Sequence, residues 1–103
     1  MNQAVFHRFD GDTPPRPRFP LGEVVLTGNA LRTIPAAEMQ AGLARHAAGD
    51  WGELCDEDRL ENERAAVAGG RLLSVYRSQA GVRFWIITEG DRSVTTLLLP
   101  QDY

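Results

Sequence analysis

Residues 69–103, the last third of the chain, break at glycine and proline into three short segments of alternating apolar residues. No other feature limits the fold as much, because this period is that of β-strands and the breaks are those of tight turns. In residues 71–77, Leu73 and Val75 fall on one side of a strand, with Leu72, Ser74 and Tyr76 on the other. Ser78-Gln79-Ala80-Gly81 reads as a hairpin loop. From Val82 to Thr88, Val82, Phe84, Ile86 and Thr88 alternate with Arg83, Trp85, Ile87 and Glu89. Both sides are bulky and apolar near the middle, so this strand is predicted to be central. Gly90-Asp91 supplies the next turn, where glycine tolerates a positive φ. The last strand covers residues 93–99 and ends at Pro100.

Upstream, Glu23-Val24-Val25-Leu26-Thr27 is a short apolar run that reads as a buried strand, and Thr27 is placed to cap a helical turn over residues 28–32. Pro35 suits a helix start. Ala36, Met39, Leu43 and Ala47 then recur at helical spacing, with Gly49 fitting a left-handed C-terminal position. A second helix is predicted from Asp56 to about Ala68, with Glu57 and Asp58 in its positive first turn. Its apolar face is thin, only Leu60, Val67 and alanines, so one edge should touch the core. Trp51, in the connector between the helices, is expected to cover the core. Residues 1–20 read as an extension: a short strand from Gln3 to Phe9, then a proline-rich linker through Pro14, Pro15, Pro17 and Pro20. The predicted fold is therefore α+β. It has an antiparallel meander of three C-terminal strands plus an N-terminal strand, with two α-helices on one face, in a single domain over residues 21–103.

With 43% apolar and 24% charged residues, a chain of 103 residues is expected to bury one ordinary core. A net charge of −3 argues against a sequence-independent phosphate-binding surface, so a protein or ribonucleoprotein partner ranks above direct nucleic-acid binding. Every one of the eleven basic residues is arginine. Cys55 is the only cysteine, which excludes an internal disulfide and a cysteine zinc cluster; it is expected to be partly buried. The start lacks the apolar core of a signal peptide and no window reaches the length of a membrane span, so a cytoplasmic location is expected. No phosphate loop, dinucleotide fingerprint, Gly-x-Ser-x-Gly or histidine pair with metal spacing occurs, so neither cofactor nor metal is expected. His46 falls in the last turn of a helix, where its charged form would favour the helix end.

Two places carry groups suited to chemistry or recognition. The hairpin between the last two strands offers Glu89, Asp91, Arg92 and Thr95: a forked donor, carboxylates and a hydroxyl. The connector offers Trp51, Glu53 and Asp56, part of an acidic run from Asp50 to Asp58 suited to solvating a helix start or meeting a basic partner. Partner-binding candidates are therefore Trp51, Glu53, Asp56, Glu89, Asp91 and Arg92.

Gly49-Asp50-Trp51-Gly52, Gly70-Arg71-Leu72-Leu73-Ser74-Val75-Tyr76, Phe84-Trp85-Ile86-Ile87-Thr88-Glu89, Asp91-Arg92-Ser93-Val94-Thr95-Thr96 and Leu98-Leu99-Pro100-Gln101-Asp102-Tyr103 resemble a family of small bacterial mobile-element proteins. These are called plasmid-related proteins and are sometimes labelled a type I restriction modification subunit. The resemblance covers residues 19–103. It implies cargo of a mobile element, which commonly inhibits or modulates a host defence or nucleic-acid-handling complex by binding. A modification subunit needs a methyltransferase domain, for which this chain has neither the size nor the motif. The order of helices followed by a meander is also similar to barnase-like ribonuclease toxins. That likeness implies Arg71, Glu89, Arg92 and Thr95 near a scissile phosphate, with Arg83 and Tyr76 nearby, although no histidine follows His46. A third reading is a self-associating module, a homodimer paired through an exposed edge strand.

Overall fold

The computed structural model describes residues 5–103. Its elements are β1 (Phe6–Arg8), β2 (Glu23–Thr27), α1 (Gly28–Thr33), α2 (Ala36–Ala47), α3 (Asp56–Ala68), β3 (Leu72–Arg77), β4 (Arg83–Thr88), β5 (Val94–Leu98) and a 3-10 turn over Pro100–Asp102. The three C-terminal strands form the meander that their alternation predicts, with β4 between β3 and β5. The sheet extends further than a meander, in the order β1-β2-β5-β4-β3. β2 runs parallel to β5, so the sheet is mixed rather than wholly antiparallel. Parallel neighbours need a long crossover, and the helices after β2 lie within that connection.

Residues 5–20, the described part of the N-terminal extension, lie against the rest of the fold. β1 pairs antiparallel with β2, Phe6 facing Thr27 and Arg8 facing Val25. Pro14 is buried, and Phe19 sits in the core. The Arg18 N–H donates to the Ala47 carbonyl at 2.8 Å, tying the proline-rich segment to the end of α2.

One face of the sheet meets the helices. Leu26, Leu72, Tyr76, Phe84, Ile86 and Leu97 join Ala30 of α1 and Met39, Leu43 and Ala47 of α2 in one cluster, which Trp51 closes at 2% exposure. Thr27 caps α1 as its position predicts, its hydroxyl accepting from the Ala30 N–H at 3.1 Å. α3 touches the rest of the fold by a different edge from the one expected: Asn62 is buried and Ala65 and Ala66 pack against the core, while Leu60 and Val67 stand in solvent, because the Asn62 amide bonds the Leu73 backbone at the sheet edge. Cys55, just before α3, is exposed rather than partly buried, because it adjoins the solvent-facing first turn of that helix, Asp56 to Asp58. Among the described residues no helix is long and apolar enough to cross a membrane.

The outer edge of β3 is covered twice. Gly52 bridges to Val75, with the Val75 N–H donating to Trp51 O at 3.1 Å and the Glu53 N–H to Val75 O at 2.7 Å. Gly52 has φ +75, and a Cβ there would lie 1.9 Å from the Val75 oxygen, so only glycine fits. Further along, the Asn62 amide donates to Leu73 O at 2.6 Å and accepts from Leu73 N at 3.3 Å. Those contacts satisfy backbone groups that an edge strand otherwise offers to any passing chain.

Candidate functional site

Among the described residues, the opposite face of the sheet carries no α-helix. By strand alternation it presents Arg71, Leu73, Val75 and Arg77 along β3, Arg83, Trp85, Ile87 and Glu89 along β4, and Val94, Thr96 and Leu98 along β5. Part of it is roofed by the C-terminal turn. Pro100 starts that turn, and Asp102 anchors it, accepting from Thr27 Oγ1 and Asn29 Nδ2, both at 2.6 Å, and from the Leu99 N–H at 3.0 Å. Burial alone would raise the pKa of Asp102, but these hydrogen bonds outweigh it and the net direction is down. Ile87 and Leu98 are therefore buried although they lie outside the main core.

Between the turn and the strands lies a hollow of about 140 Å³, lined among others by Phe6, Arg71, Ile87, Glu89, Thr96 and Tyr103. Arg71 is its organising group. It donates to the Tyr103 hydroxyl at 2.6 Å and to Glu89 at 3.4 Å, and its guanidinium lies 5.4 Å from the Tyr103 ring. Tyr103 in turn meets Trp85 at 5.6 Å with ring planes 60° apart. Phe6 and Tyr103 remain about half exposed, at 49% and 53%. A forked donor, a carboxylate and a phenol thus meet solvent within one cluster, each with a defined neighbour.

Only part of the expected set is here. Arg71 and Glu89 are together at the hollow. Arg92 is not: it adopts φ 62, and its guanidinium donates to Gly70 O at 2.6 Å, Ala65 O at 2.8 Å and Glu89 O at 3.1 Å. Its charge ties the end of α3 to the β4–β5 turn and sits 5.6 Å over Phe19. The left-handed residue of that turn is accordingly Arg92, not Gly90. Asp91 is exposed but accepts from both the backbone N–H and the hydroxyl of Ser93, which lowers its pKa.

Thr95 lies on the helix-facing side, fully buried, and cannot approach a phosphate on the other face. It ends a closed chain of hydrogen bonds. Ser74 Oγ meets His46 Nδ1 at 2.6 Å, His46 Nε2 meets Thr88 Oγ1 at 2.9 Å, Thr88 meets Thr95 at 2.8 Å, and Thr95 donates to Leu21 O at 2.7 Å. The direction follows from proton counting. Thr95 gives its only proton to Leu21, so Thr88 must donate to Thr95, and His46 Nε2–H must donate to Thr88. Nδ1 is then the acceptor for Ser74, and the ring is neutral. Burial first, and then the Arg92 charge, push the His46 pKa down to about 3. His46 is thus a neutral core group rather than a cation at a helix end.

In the connector, Trp51 is covered, donating to Glu63 at 2.8 Å and stacking near Phe19 at 6.1 Å, so a partner cannot touch it without opening the core. Glu53 is exposed and pairs with Arg77 at 3.2 Å, with Arg83 3.9 Å away; Arg77 holds its pKa down. Tyr76 faces the core, and Arg83 lies at the opposite end of β4 from Glu89, beside Glu53, so neither lines the hollow. Asp56 stands exposed in the first turn of α3 with Glu57 and Asp58. Among the described residues no group of three His, Cys, Asp or Glu side chains is placed to hold a metal ion.

Phe6, Trp85 and Tyr103 were not singled out by the sequence reading. A signal existed for Trp85: helices cover only one face of a sheet, so a bulky apolar residue on the other face needs a separate roof. No protein family, curated protein or solved structure matches the chain.

Proposed function

We propose that this protein acts by binding, presenting its helix-free sheet face around Arg71, Glu89 and Tyr103 to a macromolecular partner. One observation carries the reading: Arg71 is already oriented by Tyr103 and Glu89 while remaining about half exposed. A side chain held in place before contact loses less freedom on binding, and arginine beside aromatic rings is the composition of interface anchors. The likeness to mobile-element cargo supports a partner that is a defence or nucleic-acid-handling complex of the host, inhibited or modulated by occupation. The test is quantitative co-purification of tagged protein from host cells. R71E and Y103A are expected to lose the partner while keeping the wild-type circular dichroism, and L60E on α3 is expected to retain it. Retention by R71E and Y103A at wild-type levels would overturn the reading.

The ribonuclease reading keeps one favourable observation. Arg71, Glu89 and the Tyr103 hydroxyl share one hollow, supplying a phosphate fork, a carboxylate and a phenol. It predicts growth arrest by the chain alone and RNA cleavage abolished by E89Q. Harmless expression without cleavage sinks it and leaves the binding reading standing.

A further inference from the structure

The two edges of the sheet are finished differently. At β3, Gly52 and Asn62 occupy the outward backbone groups. At β1 nothing comparable is present among the described residues. Val5 O accepts from Gly28 N at 3.0 Å and Phe9 N donates to Val24 O at 2.9 Å, so the alternate residues Val5, His7 and Phe9 turn inward to β2. The N–H and C=O of Phe6 and Arg8 consequently point away from the sheet, and no hydrogen bond among the described residues reaches them. Val5 and Phe6 beside them are exposed apolar residues.

We propose that β1 is the two-fold interface of a homodimer. The strand of one copy pairs antiparallel with the strand of a second copy, centred on His7, and joins two five-stranded sheets into one. The choice of a second copy rests on self-complementarity. With His7 opposite His7, each Phe6 lies opposite an Arg8, and all the outward groups of both residues are used in hydrogen-bonded pairs. Phe6 and Arg8 project from the same face, because they sit opposite Thr27 and Val25. Each ring therefore receives a guanidinium neighbour, twice by symmetry. Sliding the pairing until Arg8 faces Arg8 sets like charges together. The centred register has a further result. Phe6 lines the hollow that holds Arg71 and Tyr103, so the second copy adds its Arg8 at that rim. This assembly needs only the chain itself and stands or falls independently of what the sheet face binds.

Sedimentation velocity of the full chain from micromolar to millimolar concentration is expected to show a mass rising from 11.4 kDa toward twice that value. R8P removes an outward N–H and leaves the β1–β2 ladder intact, so it is expected to weaken association about tenfold or more. Engineered cysteines in a C55S background test the register even if R8P impairs folding. Opposed residues at the centre of such a pair have Cα atoms about 4.5 Å apart, within disulfide reach, so H7C is expected to cross-link on mild oxidation. F6C is expected to stay uncross-linked, since its own counterpart lies beyond that reach. A mass fixed at 11.4 kDa at every concentration, or H7C no more cross-linked than F6C, overturns the proposal.

Discussion

Acidification should unfold this protein through a single imidazole. His46 sits neutral in the folded core with its pKa near 3, whereas an unfolded histidine titrates near 6.5. Below pH 6.5 the unfolded chain takes up a proton that the folded chain refuses, so stability is complete above that pH and falls as pH drops toward 3. Each pKa unit corresponds to roughly 1.4 kcal/mol, so moving from pH 7.5 to pH 5 removes about 2 kcal/mol. For a domain of this size that is a drop in melting temperature of roughly 10 °C. The lowered carboxylates, Asp50, Glu53, Glu63, Asp91 and Asp102, contribute in the same direction but mostly below this window, as their unfolded forms protonate. Urea unfolding at fixed pH, followed by fluorescence in an H7Q background where His46 is the only histidine, isolates the effect. H46Q should be less stable at pH 7.5, because Ser74 and Thr88 lose part of their bonding. Its stability should then stay level down to pH 5. An unchanged wild-type midpoint between pH 7.5 and pH 5, or an imidazole that titrates near 6.5 while the fold persists, would refute the argument.

Two further substitutions probe the arginine and asparagine clamps. R92A removes charged donors from three backbone carbonyls, including one at the end of α3, and is expected to cost about 2–3 kcal/mol in chemical denaturation. N62A uncovers the Leu73 edge and is expected to cost about 1–2 kcal/mol. Faster exchange of the Leu73 amide and a greater tendency to aggregate than wild type should accompany it.

The strand block was legible because its hairpins are local: Leu72 pairs with Thr88 and Trp85 with Leu98, across short loops that the glycines announce. The helices were legible for the same reason, through Thr27, Pro35, Gly49 and Gly69. The parallel pairing of β2 with β5 was not, since nothing near Glu23 signals that its neighbour is Val94. β1 is too short for alternation to establish its membership of the sheet. His46 was misjudged because helix position is local information, whereas Ser74 and Thr88 arrive from distant strands. The row of hydroxyls at core-facing positions of β3, β4 and β5 was the available clue. Arg92 was misjudged because turn arginines usually face water, and only its left-handed backbone brings the guanidinium back over the end of α3. Of the groups lining the hollow, Glu89 had been picked out by residue type and Arg71 only through the likeness to ribonuclease toxins, while Tyr103 depended on a tail whose return path is set by Asp102.

The place of β5, wedged between β2 and β4, governs how the molecule is born. A nascent chain that has emerged only as far as residue 93 owns two pieces of sheet, β1–β2 and the β3–β4 hairpin, with no strand to pair them. Because the strand that joins them follows both in the chain, the sheet cannot close until β5 has left the ribosome, and a polypeptide stalled before residue 94 would be chaperone or protease substrate.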